Sequence, residues 1–120
     1  MQRIETGDAE RLVADYLNGS SKLPRTYYDV PPERPESFCV VERTGGVWEL
    51  GRGTPRLDID CWGPSRRAAW ELADLVREAV EAMPGQVENV FGTSIESIYR
   101  NPDIDTGTPR YTVSVELTVC

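Results

Sequence analysis

Arg56-Leu57-Asp58-Ile59-Asp60-Cys61-Trp62, followed by Gly63-Pro64-Ser65 and then Arg66-Arg67-Ala68-Ala69-Trp70-Glu71-Leu72-Ala73-Asp74-Leu75-Val76-Arg77-Glu78-Ala79-Val80-Glu81-Ala82-Met83, decides the fold class. Leu57, Ile59 and Cys61 alternate with Asp58, Asp60 and Trp62, a period of two that predicts a strand with one buried and one more polar face. Ala69, Leu72, Ala73, Val76, Val80 and Met83 then fall on one stripe at helical spacing, with Arg66, Glu71, Arg77, Glu78 and Glu81 off it. Ser65 is placed to cap the helix through its hydroxyl, and Pro84-Gly85 to stop it. A strand whose chain turns straight into an amphipathic helix must lay that helix on a sheet, so this unit locates the core.

Upstream, Leu12, Val13, Tyr16 and Leu17 recur at three and four after Gly7-Asp8, which predicts a first helix over Ala9 to Leu17 with Asp8 as cap; Asn18-Gly19-Ser20-Ser21 ends it. Thr26 to Val30 is expected to be a strand. Pro31, Pro32 and Pro35 hold the following connector extended and exposed. Phe38 to Arg43, dense in β-branched and aromatic residues, is expected as a second strand turned by Thr44-Gly45-Gly46. Gly45 to Pro55 reads as either a hairpin tip or a mobile loop. Downstream, Ile95, Ile98 and Tyr99 suggest a further strand broken at Gly92, with no clear period over residues 86–100. Asn101 to Pro109 is turn chemistry. Tyr111, Val113, Val115, Leu117 and Val119 alternate with Thr112, Ser114, Glu116 and Thr118 and mark the last strand. The expected fold is α/β of the α+β type: a two-layer sandwich in which a mixed, mostly antiparallel sheet carries about two helices on one face, with residues 1–120 forming one domain.

Composition narrows the function. The 120 residues carry a formal charge of -7 with 13 scattered basic residues, which disfavours a nucleic-acid grip. Neither a signal-peptide pattern nor a membrane-length apolar run is present, so a non-membrane location in the cytosol is expected. Cys39, Cys61 and Cys120 lack metal-type spacing and read as reduced thiols. The chain has no histidine, the commonest general base and metal ligand. No cofactor is expected. Asp58 and Asp60 share a strand face and, with Glu42 from a neighbouring strand, could hold a hard cation in a small metal-dependent enzyme; the alternative is that they solvate the face. Asp103 and Asp105 lie in a turn where aspartates serve the backbone. Arg66 and Arg67 oppose the dipole of the long helix; a partner's carboxylate could compensate, and Asp60 or Glu71 of the same chain is the expected answer.

The order of phrases resembles that of tail terminator proteins of long-tailed bacteriophages and prophages. The resemblance runs through Val30-Pro31-Pro32-Glu33-Arg34-Pro35 and Phe38-Cys39-Val40-Val41-Glu42-Arg43-Thr44-Gly45-Gly46. It continues through the Arg56 strand with Ala68 to Arg77 of its helix, and ends in Asn101-Pro102-Asp103-Ile104-Asp105-Thr106-Gly107-Thr108-Pro109-Arg110-Tyr111. It implies a non-enzymatic virion protein that caps the tail tube as a hexameric ring and joins it to the head-completion or neck protein, with DNA passing through unbound. It also implies assembly in the host cytoplasm, from a chain that can be monomeric until templated. A head-closure or adaptor role at the same junction remains open beside it. Contacts to partners are expected from Val47, Trp48, Glu49 and Leu50 in the glycine stretch and from Tyr27, Tyr28 and Asp29 beside the proline connector. For the tyrosines, ordinary strand packing is the competing expectation.

Overall fold

The computed structural model describes residues 9–49 and 52–120, with the backbone alone at positions 48 and 49. In chain order these form α1 (Ala9–Asn18), β1 (Thr26–Tyr27), β2 (Phe38–Glu49), β3 (Arg52–Trp62), α2 (Arg66–Glu81), a 3-10 turn (Met83–Gly85), β4 (Val90–Arg100) and β5 (Arg110–Val119). The strands make one mixed sheet in the order β1-β2-β3-β5-β4, with β1 parallel to β2 and every other neighbour antiparallel. Both helices pack on the same core, so the fold is α+β as expected.

The strand and helix around Ser65 form as their pattern dictates. Leu57, Ile59 and Cys61 are fully buried, and so are Ala69, Ala73, Val76 and Val80 of α2. The Ser65 hydroxyl accepts from the Ala68 amide at 3.1 Å, and the helix ends at Ala82 before the 3-10 turn that contains Pro84. Gly63 is required by close approach: a Cβ there would lie 2.6 Å from the Ala69 nitrogen. The Asp8 cap lies outside the described residues.

Three elements depart from expectation. β1 stops after Tyr27 rather than reaching Val30. The Asn18 side chain both donates to the Thr26 carbonyl at 3.1 Å and accepts from the Thr26 amide at 2.7 Å, which fastens the short strand to α1 before the prolines carry the chain away. β2 does not turn at Gly45-Gly46 but runs on to Glu49, and β3 begins at Arg52, so the glycine stretch is a long hairpin arm. The register shifts between Arg43 and Gly45, and Gly46 has φ +112°, where a Cβ would meet the Thr54 carbonyl oxygen at 2.4 Å. The glycines serve a bulge and a backbone contact instead of a turn. β4 is unbroken from Val90 to Arg100, with register shifts between Val90 and Gly92 and between Ile95 and Ser97. Each bulge resets the alternation by one residue, which is why no period two is visible in this stretch.

The main core joins both helices to Cys39, Val41, Leu57, Ile59, Cys61, Val113, Val115, Leu117 and Val119. A second, smaller cluster lies on the other face: Phe38, Val40 and Trp62, with Tyr27 against them. Trp62 was expected on the polar face and is on it, yet only 1% exposed. It stacks on Phe38 at a centroid distance of 4.6 Å and 9° between planes, with the Arg110 guanidinium 5.0 Å from its ring.

Candidate interaction surfaces

The sheet has an upper end, where Phe38, Trp62, Arg100 and Arg110 sit with the proline connector and residues 101–109, and a lower end, where the hairpin arm meets Val90 and Val119. Tyr27 is set near the upper end by its pairing with Val40, and Tyr28 and Asp29 follow it into the connector. Val47 is seven residues further along β2, about 23 Å at strand rise. The two groups of expected contact residues are therefore separate patches, set apart along β2. Tyr27 packs edge-on against Phe38 at 6.1 Å, the structural alternative for that residue. Tyr28 is 49% and Val47 58% exposed, and Asp29 is exposed. Trp48 and Glu49 pair through their backbones with Gly53 and Arg52; their side chains and Leu50 lie outside the described residues.

The acidic face is built by register. Glu42 stands opposite Asp58, and Asp58 and Asp60 stand opposite Ser114 and Thr112. Ser114 donates to Asp58 at 2.6 Å. Thr112, fully buried, donates to Asp60 at 2.6 Å and accepts from the Asn101 amide at 3.1 Å. Burial pushes the Asp60 carboxyl up, against the lowering by the Thr112 hydroxyl and the Arg110 charge; Asp58 adds to the rise. A hydroxyl meets one oxygen of each of the two aspartates. Among the described residues no group of three or more acidic, cysteine or histidine side chains is arranged to hold a metal ion.

At the upper end the connector is tied to the 101–109 loop. Arg34 donates to Asp103 at 2.9 Å, and Asp103 also accepts from the Asp105 amide at 3.1 Å, while Gly107 and Thr108 close the turn through the Asp103 carbonyl and amide. The Arg34 hydrogen bond is the main reason the Asp103 carboxyl is held down at about 2; the Asp105 amide and the Arg34 charge add to it against desolvation. Its side chain is only 10% exposed. The buried Trp62 indole N–H completes no hydrogen bond of good geometry among the described residues, yet it lies close enough to help keep Asp103 ionised. This latch was missed in the sequence, where Asp103 carried only its turn signal and Arg34 none. The loop leaves Ile104 95% exposed at its tip.

Arg67 pairs with Glu71 at 3.0 Å, as expected. Arg66 does not find Asp60, which is committed to Thr112 on the far face of the sheet; its Nε donates to the Tyr111 hydroxyl at 3.3 Å. Cys39 and Cys61 are register partners with Sγ atoms 3.8 Å apart, both reduced and buried, and burial followed by the Cys39 contact pushes the Cys61 thiol well up. That environment disfavours the thiolate and makes the pair packing rather than chemistry. No described helix is long and apolar enough to cross a membrane.

The fold defines a class, a small α+β sandwich with one face layered by helices and a hairpin arm at one end. Comparison with protein-family models and with curated proteins finds no match for this chain.

Proposed function

We propose that this chain is a structural subunit that caps a phage tail tube as a ring and forms its joint to the neck. The observation that carries the reading is the separation of its two contact patches. A closed ring built from one chain needs two different surfaces on each copy, the first meeting the second on the next copy. Val47 in the hairpin arm lies seven residues, about 23 Å at strand rise, along β2 from Val40, the register partner of Tyr27, and Tyr28 and Asp29 follow Tyr27 into the connector. Six copies would carry a formal charge of -42, six times -7, and a lumen sharing that charge would let DNA slide rather than adhere.

Co-expression with the cognate tail tube protein, followed by negative-stain imaging, tests this. Tubes of limited length ending in a six-fold ring are expected, and Val47→Asp or Tyr28→Ala should restore unlimited growth. Uncapped tubes that ignore the wild-type protein would overturn the proposal.

A further inference from the structure

Side chains of α2 and β5 meet beside the first turns of α2, and β4 sets Arg100 across the sheet from them. Tyr111 is at their centre. Its ring lies 5.6 Å from that of Trp70 at 64°, its hydroxyl accepts from Arg66, and Arg100 is its register partner across β4 and β5. Trp70 is 44% exposed, and both arginines are exposed. Arg34, Arg56, Arg67 and Arg77 each pair with a carboxylate. Arg66 and Arg100 do not: the phenol is the partner found for Arg66, and the Arg100 side chain has no hydrogen bond or ion pair among the described residues. In a chain with 20 acidic residues against 13 basic ones, two guanidiniums without a carboxylate, one a turn before an exposed tryptophan on its helix and one opposite that tryptophan's ring partner in the sheet, are a local reversal of charge.

We infer that Arg66, Trp70, Arg100 and Tyr111 form a docking surface for a partner-protein segment that carries carboxylates on either side of one apolar side chain. Guanidinium forks take carboxylates with two parallel hydrogen bonds, and a half-exposed aromatic pair offers apolar area at low entropic cost, which is the composition of interface anchors. Charge complementarity selects the occupant. A nucleic acid would bring a dense row of phosphates against a chain of net charge -7, with only these two guanidiniums to hold it and with Glu71 and Asp74 on the same helix already engaged by Arg67 and Arg77. A short acidic segment brings two or three charges and meets far less repulsion. The inference does not rest on the ring reading and holds for any acidic partner.

The test titrates the isotope-labelled protein with the blocked pentapeptide Glu-Glu-Leu-Glu-Glu, with Gln-Gln-Leu-Gln-Gln, and with a ten-nucleotide oligothymidine, following amide and indole resonances; Trp70→Phe assigns the indole. Saturable shifts of the Trp70 indole and of amides near Tyr111 and Arg100 are expected below about 1 mM of the acidic peptide. Arg66→Gln with Arg100→Gln should weaken this at least tenfold and leave the rest of the spectrum unchanged, and Arg66→Lys with Arg100→Lys should retain part of it. No saturable shift, an equal response to the glutamine peptide, persistence in the double glutamine variant, or tighter binding of the oligonucleotide would each overturn the assignment.

Discussion

Two aspartates illustrate opposite uses of a carboxylate. Asp60 is ionised at a cost, since burial raises its pKa above the unfolded value; the penalty is present above the folded pKa and disappears as pH falls through it. Asn at position 60 would still accept from Thr112. Asp60→Asn is therefore expected to melt no lower than the wild type at pH 7, and the wild type should gain on the variant in thermal melts as acidification protonates the Asp60 carboxyl. Asp103 has the reverse sign. Its folded pKa of about 2 lies below the unfolded value, so its contribution is present above about pH 4 and is lost between pH 4 and 2. Asp103→Asn, which keeps an acceptor for the Asp105 amide, should cost about 1 kcal/mol at pH 7, discounted because Arg34 is 36% exposed, and little at pH 2. Urea melts at the two pH values read the difference. Trp62 shows what an alternating pattern conveys at this scale. Its phase assigned the face correctly, but burial on that face came from Phe38, Val40 and Arg110, none of which is local in sequence.

Among the elements, the hairpin arm turns on two adjacent glycines with different duties. Gly46→Ala sets a Cβ against backbone atoms at a positive φ and should cost on the order of 2 kcal/mol, whereas Gly45→Ala meets nothing within 4 Å and should stay within about 0.5 kcal/mol. Chemical denaturation of the two variants separates these duties. Equal cost at both positions would mean that the arm is not paired as described. The helices were readable because their apolar stripes are continuous and their boundaries carry Ser65, Pro84 and the Asn18-Gly19 pair. β5 was readable because its alternation is unbroken. β4 was not, since its bulges change the phase twice, and two glycines in β2 carried the composition of a turn while serving a strand. The Arg66, Trp70, Arg100 and Tyr111 patch had only a faint signal, an arginine and a tryptophan four apart on the helix; the tyrosine and second arginine are supplied by strand register.

For the whole molecule, the sheet edges bear on assembly. β4 is a free edge, but it is bulged twice and carries Glu96 bound to Arg56. The outer edge of β2 is paired with β1 over two residues and capped at the Arg43 amide by the Glu10 carboxylate at 2.8 Å, next to its own bulge. Bulges and charges on edges oppose strand addition, and a charge of -7 opposes self-association. The isolated chain is expected to sediment as a monomer at about 100 µM in low salt, with ring formation requiring a template; a defined oligomer at that concentration would contradict this. By itself the sequence determined the α+β class, both helices, the core faces of β3 and β5 and the acidic balance, because periodicity and capping are short-range properties of the chain. Only the tertiary structure decided the extent of the hairpin, the aromatic cluster beneath the Arg34–Asp103 latch, and the separation along β2 of Val47 from the Tyr27 pairing. Those features depend on register and on pairs of residues distant in the chain, which pack together only once loop closure has been achieved.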